Sequence, residues 1–331
     1  IIVSSSQQDL TFRMGAGSSF ANENIGGMAN VNRDFKNIIR QDPRVSLDPT
    51  NDNAVSIAGM NNRFNSLTID GVRQNDDFGL NNSGFPTQRA PISIDAIQQI
   101  NVEVSPFDLS YGGFTGGTIN AVTKSGTNEW DGSIALYKKN ESLVGDKSED
   151  NTVDLGNFDE DTLAVTLGGP IIKDKVWFFV AYDEFTATDT NALLFGPAGS
   201  GRANEIDEVT QADVDEVIRI ADQVYGFNAG ELPSSGTDIT DEKLIVKIDA
   251  ALGDNHDVSL TYQDVSGNAL NPQGSSTSAG RLGLPSNWYD KSEEMESYSF
   301  QLFSNWTDVF STELKIATKE IITGQNSVSY T

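Results

Sequence analysis

The sequence has 331 residues, with 48 acidic residues against 22 basic ones and a formal net charge of −26. A chain this acidic repels the phosphates of nucleic acids, so we expect no nucleic-acid partner. There is no cysteine, which excludes disulfide bonds and thiolate metal sites. The length suits two or three ordinary domains or one large β-rich domain.

The apolar residues are too scattered for a membrane-spanning helix, which needs about 20 consecutive, mainly apolar residues. Strands that cross a membrane are still compatible with the sequence, because alternating hydrophobicity gives only a weak signal. The chain begins at Ile1, without Met and without the pattern of a signal peptide. We therefore expect either that a signal peptide has been removed or that the chain begins inside a longer protein.

The first part of the chain, up to about Thr127, is rich in Gly and Asn and predicts short elements. Four short strands are predicted, at Val55–Ile57, Leu67–Ile69, Ile100–Val104 and Thr118–Thr123. The second of them is followed by the turn pair Asp70–Gly71. No element is long enough for a doubly wound sheet, so we expect a small α+β unit here.

From Asn128 onward, apolar and polar residues alternate with a period of two, which indicates β-strands with one apolar face. We count about seven such strands, of which Lys243–Leu252 is the clearest. Short connections alternate with long ones along this part of the chain. The short ones are Gly169–Lys175, Gly253–Asp257 and Thr307–Ser311, and the long ones are Glu141–Asp159, Thr186–Thr240 and Ser266–Glu294. The second long connection contains a predicted amphipathic helix, Ala212–Tyr225.

Two fold classes explain this alternation. In a soluble or surface-attached β-sandwich, the apolar faces form a core between two sheets, and such a module would serve adhesion or carbohydrate binding. In an outer-membrane β-barrel, the apolar face meets lipid, and short periplasmic turns alternate with long extracellular loops. Strands of about ten residues and aromatic side chains near strand ends favour the barrel. The pattern by itself leaves both classes open.

Three sets of segments resemble the TonB-dependent outer-membrane receptors. Asn65–Val72, with the sequence NSLTIDGV, is similar to the plug-domain strand that ends in Asp-Gly-Val. Gly116–Asn128, with the sequence GGTINAVTKSGTN, resembles the segment that ends the plug and leads into the barrel. The third set resembles the Oar-like branch of the family and comprises Asn32–Phe35, Asp42–Val45, Ser105–Asp108 and Tyr111–Phe114.

This resemblance implies a mainly β protein: a small α+β plug domain, residues 1–127, inside an antiparallel transmembrane β-barrel whose first strands fill residues 128–331. About seven strands cannot close such a barrel, so we expect the chain to be an internal fragment of a longer receptor. The implied function is transport of a ligand, with proteins and peptides among the candidates, across the outer membrane of a Gram-negative bacterium. The implied partners are outer-membrane lipid, the TonB–ExbB–ExbD energising complex and a surface lipoprotein.

The resemblance also marks candidate site residues. The plug motif is Asp70, Gly71 and Val72, and the plug–barrel junction comprises Gly116, Gly117, Asn120, Thr123, Lys124, Ser125 and Gly126. Gly116 and Gly117 are expected to form a hinge or a close-packing point where the chain passes from the plug to the barrel wall. The residues that bind the ligand are not identified by the sequence.

The contact between plug and barrel is expected to be polar and wet. The plug arginines should brace the plug against carboxylates of the lumen; they are Arg33, Arg40, Arg44, Arg63, Arg73 and Arg89. Along the strands, one set of side chains should face the lipid: Leu244, Val246, Ile248, Leu260, Leu302, Leu314 and Ile316. The other set should face the lumen: Lys247, Asp249, Gln301 and Lys315.

No residue pattern predicts catalysis. His256 is the only histidine and there is no cysteine, so neither a zinc site nor a Ser-His-Asp triad is expected. Gly15–Phe20 lacks the third glycine of a dinucleotide-binding loop. The acidic segment 141–161 is interpreted as a solvated loop, with calcium binding as the open alternative, because its spacing lacks the glycine and terminal glutamate of an EF-hand. We therefore expect a protein that is not an enzyme and that holds neither a cofactor nor a metal.

Overall fold

A computed structural model describes most of the chain. The described residues are 16–28, 30, 32–49, 53–79, 81–104, 112–145, 147–148, 151–152, 158–189, 195–202, 204–232 and 237–327. They form two large sheets, one in the N-terminal part and one in the C-terminal part, together with three two-stranded sheets. Two of the segments that resemble the Oar-like branch, Ser105–Asp108 and part of Tyr111–Phe114, lie outside the described residues.

The N-terminal unit, which we define as the described residues from 16 to 123, contains a five-stranded sheet in the order β1-β6-β7-β4-β5. Its strands are β1 Ala16–Ala21, β4 Ser66–Ile69, β5 Val72–Arg73, β6 Ile97–Val104 and β7 Gly117–Thr123. A separate antiparallel hairpin pairs β2 Val45–Asp48 with β3 Ala54–Ile57. The helices are short: α1 Asn22–Gly26 and α2 Lys36–Ile39. This is the small α+β unit that the sequence predicts.

The second sheet, which we call the wall, has seven strands in the order β18-β17-β16-β15-β12-β11-β8, each antiparallel to its neighbours. The wall strands are β8 Asp131–Asn140, β11 Phe158–Ile172, β12 Val176–Asp189, β15 Thr237–Ala251, β16 His256–Asn271, β17 Tyr289–Thr307 and β18 Phe310–Ser327. The number of strands and their up-and-down order agree with the sequence prediction. Because one sheet carries all seven strands, a β-sandwich of two packed sheets is not favoured.

The connections between wall strands alternate in length as predicted. Tight turns lie at one end, for example between Ala251 and His256, and long connections lie at the other. The long connections contain further short strands, β9 Lys147–Ser148, β10 Asn151–Thr152, β13 Phe195–Pro197 and β14 Asn204–Ile206. They also contain helix α3, Gln211–Tyr225, which begins at a capping box formed by Thr210 and Asp213. No helix among the described ranges is long and apolar enough to cross a membrane.

The two faces of the wall differ in burial, as the alternation predicts. Lys247, Asp249 and Gln301 are 1%, 2% and 3% exposed because they face the N-terminal unit. On the opposite face, Leu260 and Ile316 remain 47% and 60% exposed. The outward face is therefore apolar where the inward face is charged or polar, which is the arrangement that a lipid-facing barrel requires.

The wall strands are longer than predicted. β17 has 19 residues, whereas the alternation suggested about ten. The additional length lies beyond Tyr262 and Tyr298, whose hydroxyls donate to the Glu296 carboxylate at 3.1 and 2.7 Å. From these two tyrosines toward the long connections, acidic residues appear among the outward side chains. Asp264 and Glu296 are examples, and they pair directly across the strands. Hydrogen bonding between strands therefore continues beyond the apolar part of the wall, where the sequence no longer shows the hydrophobic alternation that predicts a strand.

Candidate functional site where the two sheets meet

Asp70 and Gly71 form the tip of a two-residue hairpin that joins β4 to β5. Ile69 pairs with Val72 across the hairpin. Asp70 has a φ of +48° and Gly71 a φ of +75°, and two successive positive φ angles favour an Asp-Gly pair in such a turn. A side chain on Gly71 would also overlap the Lys315 ammonium of the wall. The Asp-Gly-Val motif thus makes a turn whose tip rests on the wall.

The Asp70 carboxylate holds the end of strand β7. Its Oδ1 accepts a hydrogen bond from the Thr123 backbone amide at 2.9 Å, and its Oδ2 accepts one from the Thr123 hydroxyl at 2.6 Å. The Asp70 amide in turn donates to the Ala121 carbonyl oxygen at 2.9 Å. The structure therefore brings together one residue from each of the two motifs that the sequence singled out.

Three wall strands reach the same point. Lys247 of β15 donates to the Thr123 hydroxyl at 3.1 Å, and its ammonium lies 3.6 Å from Asp70 Oδ2. Gln301 of β17 and Lys315 of β18 donate to the Asp70 carbonyl oxygen at 2.8 and 3.0 Å. Because Asp70, Thr123 and Lys247 are all buried, the charge-assisted hydrogen bond from Lys247 forms away from bulk solvent.

Gly117 and Asn120 lie in β7 and Gly116 directly precedes it, so the two glycines lie in the N-terminal unit, before the passage to the wall. Gly117 begins β7, and a Cβ atom on it would lie 2.6 Å from Ile57 Cγ2 and 2.8 Å from the Glu103 carbonyl oxygen. Neither Gly116 nor Gly117 has a positive φ. They allow close packing inside this unit. Asn120 Oδ1 accepts a hydrogen bond from the Thr68 hydroxyl at 2.7 Å.

The passage itself is made by Lys124, Ser125 and Gly126. The Lys124 amide donates to the Ala96 carbonyl oxygen at 2.8 Å, which ties the passage to the N-terminal unit. A Cβ atom on Gly126 would overlap the Phe178 carbonyl oxygen and lie 2.9 Å from that of Gly169. At Gly126 the chain therefore touches the backbone of two wall strands, which leaves no room for a side chain.

A second group of polar contacts lies nearer the long connections, and no sequence pattern predicted it. Ser93 donates to the Asp183 carboxylate at 2.9 Å, and Asn81 donates to the Glu293 carboxylate at 2.6 Å. Gln263 donates to the Pro91 carbonyl oxygen at 2.6 Å. Each contact joins one residue from the segment 81–93 to one inward residue of the wall. Only the pairing of distant segments in the fold reveals them.

The expected bracing by arginine is mostly wrong. Arg44 pairs with Asp42 and Arg73 with Asp77 inside the N-terminal unit, at 2.6 and 2.5 Å. The hydrogen bonds from Arg44 lower the pKa of the Asp42 carboxyl to about 2. Among the ion pairs of the described residues, only Arg89 of the six predicted arginines approaches a wall carboxylate; it lies 3.9 Å from a carboxylate oxygen of Asp241. Lysines of the wall make most of the cross-interface ion pairs instead.

The contact between the sheets also has an apolar part, so the expectation of a purely polar contact needs correction. Phe179, Ala181 and Ile245 of the wall are at most 4% exposed and pack with the core of the N-terminal unit. That core includes Phe35, Ile38, Ile57, Leu67, Ile97, Ile100 and Ile119. The N-terminal unit is thus held by a hydrophobic contact flanked by two groups of hydrogen bonds and ion pairs.

The acidic segment 141–161 is only partly covered by the described residues. Lys138 pairs with Asp159 and Asp161 at 2.7 and 3.2 Å, so part of its charge is neutralised by a neighbouring strand. Within the described ranges, no group of three or more His, Cys, Asp or Glu side chains is arranged to hold a metal ion.

Comparison with known proteins agrees with this geometry. The model of the TonB-dependent receptor plug domain matches residues 18–118, and that of an outer membrane beta barrel domain matches residues 122–217. The TonB-dependent transporter Oar of Myxococcus xanthus is 31% identical over 267 residues, which make up 78% of this chain. The chain belongs to the TonB-dependent receptor family. We therefore call its N-terminal unit the plug and its wall the barrel wall.

Solved receptors share the fold. The outer membrane transporter YddB from Escherichia coli superimposes with a TM-score of 0.64 at 11% identity and covers 92% of this chain. The siderophore receptor PirA from Pseudomonas aeruginosa gives a TM-score of 0.58 at 13% identity and covers 93%. The chain spans 22% of the length of Oar and 38% and 41% of these two structures. The barrel wall is accordingly an open part of a barrel, located in the outer membrane of a Gram-negative bacterium.

Proposed function

We propose that the complete receptor moves a ligand across the outer membrane when the plug is displaced from the barrel wall. The observation that supports this is the contact of Asp70 with Lys247, Gln301 and Lys315, which joins the tip of a plug hairpin to three wall strands. The contact consists of several separate hydrogen bonds and ion pairs, each of modest net strength. Such a contact is firm at rest and can be broken by an applied force.

The energy for displacement is assigned to the TonB–ExbB–ExbD complex, because the chain belongs to a family named for its dependence on TonB. Lipid of the outer membrane is the other partner, and the exposed aliphatic face of the wall supports this. The proposal assigns no catalytic residue and no cofactor.

For the ligand we propose a protein or a peptide. The long connection after β12 carries α3, where Val217, Val224 and Tyr225 are 53%, 65% and 77% exposed. Large apolar and aromatic side chains on an exposed helix suit contact with a polypeptide. A surface lipoprotein is the other partner proposed for this helix. A photocrosslinker at position 225 tests this on intact cells: a protease-sensitive adduct that competes with the transported ligand supports the ligand, and a lipoprotein adduct supports the accessory partner.

Removal of the plug tests the gating proposal. The complete receptor and a variant without residues 1–127 are compared for conductance in planar bilayers, after both are shown to assemble. We expect the variant to conduct ions continuously and to have lost TonB-dependent uptake. A variant that assembles and is no leakier than the complete receptor would show that this domain is not the gate.

A further inference from the structure

We propose that Lys247 is the positioning residue that fixes the resting plug, because it is the one wall side chain whose described contacts include both Asp70 and Thr123. This inference rests on the proposed gating function and assigns it a specific residue. Lys247 belongs to neither motif of the family resemblance; it was expected only to face the lumen. Its role follows from its place opposite the point where the two motifs meet.

The three residues form a chain of donors and acceptors. Lys247 donates to the Thr123 hydroxyl at 3.1 Å, and that hydroxyl donates to Asp70 Oδ2 at 2.6 Å. The ammonium of Lys247 also lies 3.6 Å from the same carboxylate oxygen. Because Thr123 is both acceptor and donor, any displacement of its hydroxyl weakens two hydrogen bonds at once. The contact is therefore expected to be either made or lost as a unit.

The electrostatic setting makes the ammonium hard to replace. Lys247 is 1% exposed, Asp249 is 2% exposed, and Asp70 is 9% exposed. Asp249 is close enough to Lys247 for their charges to interact. Removal of the ammonium leaves two buried carboxylates with less compensation, and an uncompensated buried charge strongly disfavours the arrangement that contains it. The docked plug is that arrangement, whereas displacement of the hairpin exposes Asp70 to water.

Two features distinguish this contact from an ordinary ion pair that only stabilises the fold. Asp70 sits in a left-handed conformation at a hairpin tip, and Thr123 is the last residue of β7 before the passage to the wall. The Lys247 ammonium therefore contacts the plug at the start of its connection to the barrel. Its loss should change how often the plug leaves its resting position, with little change in barrel assembly or in ligand binding outside.

The test uses the complete receptor with Lys247→Met, Lys247→Gln or Lys247→Arg. The control is Lys173→Met, at an exposed lysine in the tight turn between β11 and β12. Permeation of vancomycin is measured in cells without TonB, where the resting plug alone blocks the barrel. We expect about a tenfold increase for Met, the factor given by a modest shift of a two-state equilibrium. Gln should give a smaller increase, and Arg, which keeps the charge, should remain near the unsubstituted receptor.

The same cells also give a readout that a general loss of stability would not produce. Surface binding of the transported ligand should be unchanged in Lys247→Met while TonB-dependent uptake falls. In the double variant with Asp70→Asn, the leak should be no larger than in the more leaky single variant, because both changes break one unit. If Met prevents assembly, judged by heat-modifiable migration in gels, the ranking of Gln against Arg decides the question.

The outcomes separate the two proposals. If the plug-deleted barrel leaks vancomycin but the assembled Met and Gln variants are as tight as the control, Lys247 does not position the plug and the inference is overturned. Strictly multiplicative leaks in the double variant would overturn it as well. If the plug-deleted barrel itself is tight, the gating function fails, independently of Lys247.

Discussion

The Asp70 carboxylate accepts hydrogen bonds from both the backbone amide and the hydroxyl of Thr123, a residue 53 positions later in the chain. The first residue belongs to the hairpin tip of β4 and β5, and the second ends β7. Strands β4 and β7 are parallel neighbours, so their C-terminal ends lie side by side in the plug sheet. These strand ends face the wall, which explains why wall lysines contact them.

Thr123→Val is expected to weaken the docked plug. Valine keeps the shape of threonine and its backbone amide, but it removes the hydroxyl that links Lys247 to Asp70. A buried carboxylate oxygen then loses a partner, which costs about 1–3 kcal/mol. The measurement is the urea concentration at which protease cleaves the plug in assembled receptor. Thr318→Val, at an exposed threonine of β18, is the control and should leave that concentration unchanged.

The outward face gives a prediction that depends on depth. Leu260 pairs across the wall with Ile248 and Phe300, so Leu260→Arg would place a charge in a fully apolar row. Arginine in the middle of the membrane costs roughly 2–4 kcal/mol, so the yield of heat-modifiable barrel should fall. The control is Asn268→Arg, on the same strand and face but beyond the acidic residues. Similar yields for the two variants would contradict the assigned lipid boundary.

The strands illustrate which parts of the fold the sequence could predict. Alternation correctly predicted seven strands and the inward position of Lys247, since lipid on one side and the plug on the other select opposite side chains. It could not predict the full length of β17. Beyond Tyr298 most side chains on both faces of that strand are polar, Met295 being an exception, so little contrast remains in the sequence although the strand pairing continues.

The candidate site was predictable only in part. Asp70 and Thr123 were marked by resemblance to a family, but nothing in the local pattern indicates that they touch. The arginine prediction failed because opposite charge alone does not select a partner. Arg44 and Arg73 are satisfied by Asp42 and Asp77, two and four residues away, so they are already paired within the plug. Long lysine side chains at alternate wall positions reach the plug instead.

Gly126 should not tolerate a side chain. In Gly126→Ala the new methyl group would overlap the Phe178 carbonyl oxygen, a backbone atom that cannot move without disturbing the wall. We expect a reduced yield of assembled receptor and a plug that is cleaved more readily. Gly145→Ala is the matched control, because a Cβ atom on Gly145 meets nothing within 4 Å and its φ is not positive. Equal yields would show that the passage does not lie against the wall as described.

The orientation of the wall in the membrane follows from its connections, because long loops of such barrels lie outside the cell. An epitope inserted at Gly199, in the connection between β12 and β15, should be reached by antibody on intact cells. An epitope at Asp254, in the tight turn before β16, should be reached only after the outer membrane is permeabilised. The opposite labelling pattern would invert the proposed topology.

A tether between plug and wall gives the most direct test of displacement. Ser93 donates to Asp183 across the interface at 2.9 Å, and these 331 residues contain no cysteine, so Ser93→Cys with Asp183→Cys adds the one cysteine pair within them. Once oxidised, the pair should abolish TonB-dependent uptake while ligand binding outside continues, and reduction should restore uptake. Thr188→Cys with Asp238→Cys is the matched control: these residues are hydrogen-bonded at 2.9 Å and directly opposed, but both lie in the wall. Their disulfide should leave uptake unchanged, because displacement of the plug does not separate β12 from β15. Full uptake through a receptor with the Ser93–Asp183 positions demonstrably cross-linked would mean that this part of the plug stays in place during transport.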